Sequence, residues 1–157
     1  MRAYLSGGME YADGEGAGWR GTMQEWVQSS LGHSVFNPNT ESDQFFAARY
    51  PGVDFRKLKE ENMAEYSAII RLLVDIDSAE VAERSDYVIC FWDDGAAKGA
   101  GTKGELTIAR FFRKPVYLVT EFAHPDIPGW VLGCTTQIFV SFEELKRFLS
   151  TQYGQHA

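Results

Sequence analysis

Cysteine is scarce in this chain, two among 157 residues, and Cys90 in a strand-like run and Cys134 near a turn make no disulfide framework. The three histidines, His33, His124 and His156, are scattered and share no metal-ligand spacing with the cysteines, so no metal site and no cofactor are expected. No cysteine–histidine or serine–histidine nucleophile pair stands out either. Long apolar runs are missing as well. The opening Met1 to Gly7 is too short for a signal peptide, and no later stretch approaches a membrane span. A soluble protein of a reducing, cytoplasmic compartment is the expectation. Basic clusters are absent too, and a net charge of −7 argues against a nucleic-acid polymer or a membrane surface as partner. A small molecule fits better, held where backbone N–H groups offset the local acidity.

What is present is a globular composition, 45% hydrophobic, without internal repeat or low-complexity segment, and long enough for one domain over 1–157. An apolar run at 2–6 ends in Gly7-Gly8 and reads as a first strand whose glycines let backbone amides approach a ligand. A long loop over 9–18 precedes a helix over 19–31, striped by Met23, Trp26, Val27 and Leu31 and stopped at Gly32. The second strand is 33–36. A short helix over 42–49 stops at Pro51-Gly52, and a longer one covers 55–73. Asp75 to Ser78 reads as a cap or kink, followed by a helical turn or two over 79–84.

The central run 87–92 is a third, buried strand that empties into an acidic, glycine-rich loop over 93–104. The helix after it, over 102–113, carries Glu105 in its first turn. A fourth strand at 116–119, a loop over 121–135, a last strand at 137–140 and a helix opened by a Ser141/Glu144 capping box complete the chain. Leu145, Phe148 and Leu149 form the buried face of that helix, and the tail after Tyr153 frays.

Five strands alternating with helices predict a single α/β domain, a doubly wound parallel five-stranded sheet flanked by helices. In the flavodoxin-like order 2-1-3-4-5 the switch point falls between the first and third strands. Ser6-Gly7-Gly8 would then share a crevice with Trp92, Asp93 and the loop leading to Glu105. The helix dipole would keep the Glu105 carboxylate ionised near neutral pH, ready to act as a nucleophile or to stabilise a developing cation. An acidic residue in a first turn is also ordinary helix chemistry, and local sequence leaves both readings open. Trp92 is placed to stack on a base, Trp26 to join the core, and Trp130 to pack an interface or the same pocket. Gly99 to Gly104 carries a GxGxxG-type signal, in the wrong place for a dinucleotide.

Tyr4-Leu5-Ser6-Gly7-Gly8-Met9, Ser85-Asp86-Tyr87-Val88-Ile89, Gly101-Thr102-Lys103-Gly104-Glu105-Leu106 with Ala109, and the closing Ile138 to Leu145 resemble, in order and spacing, the nucleoside 2-deoxyribosyltransferase family. The resemblance implies a flavodoxin-like enzyme, transferase or hydrolase, that cleaves the N-glycosidic bond of nucleosides or nucleoside monophosphates and passes the sugar to another base or to water. It puts the family's nucleophilic glutamate on Glu105 and its strand-one tyrosine on Tyr4. Its second aspartate falls on Asp77, with Asp75 as the alternative, although Ser78 holds the expected position. Ser6, Gly7, Gly8, Met9, Trp92, Asp93, Gly101 and Thr102 become the substrate-binding set. A homodimer or higher oligomer is implied, since family members complete their sites with a neighbouring subunit.

Two departures stand out. Gly99 occupies the place of the base-contacting aspartate of transferases, with Asp93 or Asp94 of the same loop as the substitutes, and Glu10 the place of an arginine found in monophosphate hydrolases. Arg20, Lys98 and Lys103 are the cations left to meet a phosphate, or else solvated surface charges. A non-catalytic nucleotide-binding module of the same fold is the competing expectation, and hydrolysis of another N-riboside such as a dinucleotide a third.

Overall fold

The structure, a computed structural model, describes residues 1–154; His156 and most of the tail expected to fray lie outside the described residues. Its strands are β1 (Arg2–Gly7), β2 (Ser34–Phe36), β3 (Tyr87–Phe91), β4 (Val116–Val119) and β5 (Gln137–Phe139). They form one all-parallel sheet in the order β2-β1-β3-β4-β5, the doubly wound order expected, with its reversal between β1 and β3. β1 pairs with β3 from Ala3↔Tyr87 to Gly7↔Phe91, so the C-terminal ends of both strands open side by side.

The helices are α1 (Ala17–Trp26), α2 (Pro38–Arg49), α3 (Phe55–Glu61), α4 (Met63–Ala79), α5 (Asp94–Lys98), α6 (Gly101–Phe111), α7 (Gly129–Cys134) and α8 (Phe142–Tyr153). α1 runs on through a π-helical turn, Val27–Leu31, to Gly32, whose φ of 66° ends it in the left-handed region. Strand alternation divides the core in two. Tyr4, Val88, Cys90, Val116 and Leu118 face Leu106, Ala109 and Val131 of α6 and α7, while Ala3, Leu5, Ile89, Tyr117 and Val119 face Met23, Leu145 and Leu149 of α1 and α8. No helix among the described residues is long and apolar enough to cross a membrane.

Several boundaries differ from the sequence expectation. α2 starts at Pro38 rather than 42, because Asn37 caps it by accepting from the Asn39 N–H at 3.1 Å. The helix expected over 55–73 is two, broken at Asn62, whose side chain caps α4 through the Glu65 N–H at 3.2 Å. Asp75 to Ser78 form neither cap nor kink but lie inside α4, which runs through them to Ala79. The expected loop over 93–104 contains α5, capped by Asp93, and α6 already begins at Gly101; the expected loop over 121–135 contains a 3-10 turn, His124–Asp126, and α7. In both segments glycine reads as a breaker, yet burial of Ala96, Val131 and Cys134 holds a helix that propensity alone disfavours. At the Ser141 box, the serine accepts from the Glu144 N–H at 3.2 Å, while Glu144 reaches back to the Val140 N–H at 3.0 Å.

Candidate active site

Tyr4 and Ser6 lie two apart on β1 and therefore point to the same side of the sheet, the side α6 covers. Both meet Glu105. The Tyr4 hydroxyl donates to Glu105 Oε1 at 3.0 Å, and Ser6 Oγ donates to Oε2 at 2.5 Å, so each carboxylate oxygen holds one donor. The anchor residues are themselves fully buried, and Glu105 is half-buried. That pairing fixes the carboxylate plane at the crevice between β1 and β3.

Glu105 is the fifth residue of α6, beyond its first turn, so the helix dipole is not what governs its charge. Burial raises its pKa, against the expectation of a carboxylate eased into ionisation by a helix N-terminus; the Ser6 and Tyr4 hydrogen bonds and then the Arg20 charge push it back down. The same burial, joined by the Glu105 charge, lifts the Tyr4 phenol well above its ordinary value, so Tyr4 stays a donor throughout the physiological range.

Asp77 is the second carboxylate. It sits on α4, half-buried, and burial together with the Glu105 charge raises its pKa to about 7, with Arg20 pulling the other way. Asp75, the alternative, is exposed. Between the ordinary aspartate value of 3.8 and about 7, the folded chain holds a proton that the unfolded chain has lost. Stability therefore falls as pH rises through this window. Asp77→Asn is expected to raise the stability at pH 8 by about 2 kcal/mol and to change it little at pH 4, read from paired thermal melts at the two pH values.

Arg20 is neither a phosphate contact nor a solvated charge, contrary to both expectations. It is 1% exposed and donates from Nε to Leu5 O at 3.1 Å, from Nη2 to Gly7 O at 2.7 Å, and from Nη1 to Gly8 O, Glu15 O and Asn39 Oδ1 at 3.3, 2.9 and 3.2 Å. The guanidinium thus ties the turn after β1 to the loop before α1. Gly7 and Gly8 are required by close packing. A Cβ on Gly7 would stand 2.9 Å from the Trp19 ring, and one on Gly8 2.7 Å from the backbone of Gly95 and Ala96.

Trp92 is also corrected. It is fully buried among Tyr4, Phe36 and Leu106, which removes it as a stacking surface, and its Nε1 has no hydrogen-bond partner among the described residues. Asp93 caps α5 by accepting from the Ala96 N–H at 2.8 Å, and Thr102 is buried. Met9 is half-buried and Gly101 exposed, with open space where a side chain on Gly101 or Gly104 would project. Lys103 donates to Ala97 O at 2.7 Å and to Gly99 O at 2.9 Å, which ties the connection between α5 and α6 to the start of α6. A Cβ on Gly99 would lie 3.3 Å from Gly95 O, so the missing aspartate matches a tight backbone. Lys98 lies over the Tyr11 ring at 4.6 Å, Glu10 is paired with Lys59 at 2.5 Å, and Trp130 is exposed, donating to Thr107 Oγ1 at 2.8 Å. Trp26 is half-buried against the α1/α8 core. Among the described residues no three His, Cys, Asp or Glu side chains stand together as a metal site.

The fold and the two half-buried carboxylates define an α/β protein with an acidic site at its topological switch point. No protein-family model matches the sequence, and no curated protein does. Among solved structures, a 2-deoxyribosyltransferase from the psychrotolerant bacterium Bacillus psychrosaccharolyticus matches at 18% identity with a TM-score of 0.59, over 93% of this chain and 90% of that one. A CMP N-glycosidase from Clostridium botulinum matches at 14% identity with a TM-score of 0.48, over 96% of this chain and 99% of that one. The first is a likeness of fold along nearly the whole chain; the second is looser still.

Proposed function

We propose that this chain is a member of the nucleoside 2-deoxyribosyltransferase family and cleaves the N-glycosidic bond of a nucleoside through Glu105. The observation that carries the reading is the Glu105 carboxylate held on both oxygens by Tyr4 and Ser6 at the switch point. A fold shared with a 2-deoxyribosyltransferase supports it. One Glu105 oxygen attacks the anomeric carbon as the bond to the base nitrogen breaks, and the base leaves with that electron pair. Asp77, which keeps its carboxyl proton up to about pH 7, supplies a proton to the departing base. Water or a second base then attacks the anomeric carbon of the glycosyl ester and gives its proton back to Asp77 as the bond to the Glu105 oxygen breaks, which restores the carboxylate. Tyr4 and Ser6 hold the nucleophile's orientation through both steps.

The free nucleoside fits better than its monophosphate. Arg20 and Lys103 donate to backbone carbonyls and so are not free to meet a phosphate. With Arg20 and Lys103 held on backbone carbonyls and Glu10 already paired with Lys59, the charges of Asp93 and Asp94 weigh against a phosphate, so free nucleosides should be preferred over 5′-monophosphates by roughly tenfold or more in kcat/KM. Incubation with a panel of deoxynucleosides, ribonucleosides and their monophosphates, with and without a second base, tests both statements by chromatography of released base and exchanged nucleoside. Release from none of them, with ligands that raise the melting temperature yet stay intact, would replace the enzyme with a binding module.

A further inference from the structure

At the other end of α6 the chain carries a second feature, which the crevice chemistry does not use. A hollow of about 640 Å³ opens between the end of α6, the start of β4 and the end of α7, lined among others by Arg110, Arg113, Lys114, Thr135 and Thr136. Its volume lies in the range of small-molecule sites. It begins one to two helical turns beyond Glu105, on the N-terminal side of β4, away from the crevice.

Three cations converge there in a chain whose net charge is −7, and no acidic residue lines the hollow. Elsewhere six of the basic side chains are tied in ion pairs: Arg2, Arg56, Lys57, Lys59, Arg84 and Lys146. Arg110, Arg113 and Lys114 have no such partner among the described residues. Cations at a helix C-terminus ordinarily satisfy its last carbonyls. Here five of the terminal carbonyls of α6 and α7 already have donors from backbone or threonine. The Phe112 N–H reaches Ile108 O at 2.9 Å, the Lys114 N–H reaches Ala109 O at 2.8 Å, and the Arg113 N–H reaches Arg110 O at 3.1 Å. At the end of α7 the Thr135 N–H and hydroxyl serve Leu132 O and Val131 O at 3.2 and 2.8 Å. None of those five bonds uses a cationic side chain, and among the described residues the heads of Arg110, Arg113 and Lys114 make no hydrogen bond or ion pair. Arg113 holds its place at φ 58°, in the left-handed region where glycine is the low-cost residue. Phe111, 80% exposed, forms an aromatic wall of the hollow.

We propose that this hollow is an anion site that takes the phosphate chain of a small phosphorylated molecule, with Phe111 available to a base carried on that chain. Guanidinium groups pair with phosphate oxygens in a fork, the lysine adds a point charge, and an aromatic face stacks on any base. The site is separate from the Glu105 crevice, so its ligand modulates the protein rather than reacting in it.

The test is a titration of the full chain, labelled for amide NMR, with inorganic pyrophosphate and in parallel with a nucleoside diphosphate, at low and at physiological salt. Pyrophosphate should shift the amides of residues 110–114 and 133–136, more weakly at the higher salt. The diphosphate should bind more tightly than pyrophosphate if the base uses Phe111, and Phe111→Ala should erase that difference. Arg113→Gly suits the left-handed backbone and so removes a charge without threatening the fold. It should weaken pyrophosphate at least fivefold, and the Arg110→Ser/Lys114→Ser pair at least tenfold. Glu105→Gln should bind as the parent does, which keeps this result independent of the proposed glycosidic chemistry. Shifts confined to residues near Glu105 or scattered over other surface lysines, or unchanged affinity in the charge variants, would overturn the site.

Discussion

Glu105→Gln is expected to lower turnover of any nucleoside the protein cleaves by roughly a thousandfold or more, with the fold intact. Glutamine keeps the shape of the side chain, and its amide oxygen can still accept from Tyr4 or Ser6, the two donors that now bracket the carboxylate. What it loses is the anionic oxygen that attacks the anomeric carbon. Because burial opposes the charge on Glu105, the neutral amide should not destabilise the chain at neutral pH. The measurement is base release under single-turnover conditions beside a thermal melt. An unchanged melt with parent-like release would remove Glu105 from the chemistry, whereas an unchanged melt with lost release would assign it.

Arg20→Met should have the largest effect on stability. The guanidinium is 1% exposed and donates to the carbonyls of Leu5, Gly7, Gly8 and Glu15. Methionine has similar length but no donor, so several buried carbonyls lose their partner at once. A cost of about 3–5 kcal/mol follows, a fall of roughly 10 °C in melting temperature for a chain of this size. Lysine should rescue little, because one ammonium with three donors cannot span acceptors arranged around a planar fork. The turn that Arg20 holds begins at Ser6, a direct partner of Glu105, so turnover should fall along with stability. A melt within 2 °C of the parent would show that water replaces the guanidinium at these carbonyls.

Much of this architecture was legible in the residues. The alternation of apolar strands and helices announces a doubly wound sheet, and period two on β1 already places Tyr4 and Ser6 on one face. The helix boundaries were less legible. Asn62 looks like any polar residue inside a long helical stretch until its side chain is seen capping α4, and α5 is invisible in a glycine-rich segment whose helix depends on burying Ala96. Arg20 is the clearest case among the site residues. Nothing in its neighbours Trp19 and Gly21 distinguishes a buried arginine from a solvated one; only the return of the chain past Leu5, Gly7 and Gly8 supplies the carbonyls that retain it.

The sequence by itself determined the fold class, because hydrophobic periodicity and handed crossovers leave few alternatives; the strand order, and with it the meeting of β1 with the helix that carries Glu105, was expected from the family resemblance. Tertiary structure alone decided the electrostatics. Whether Glu105 is eased into ionisation or resisted, whether Asp77 rather than Asp75 faces it, and whether Trp92 is a surface or a core residue all depend on which atoms exclude water from which others. That exclusion is set by segments far apart in the chain, and local sequence carries no record of it.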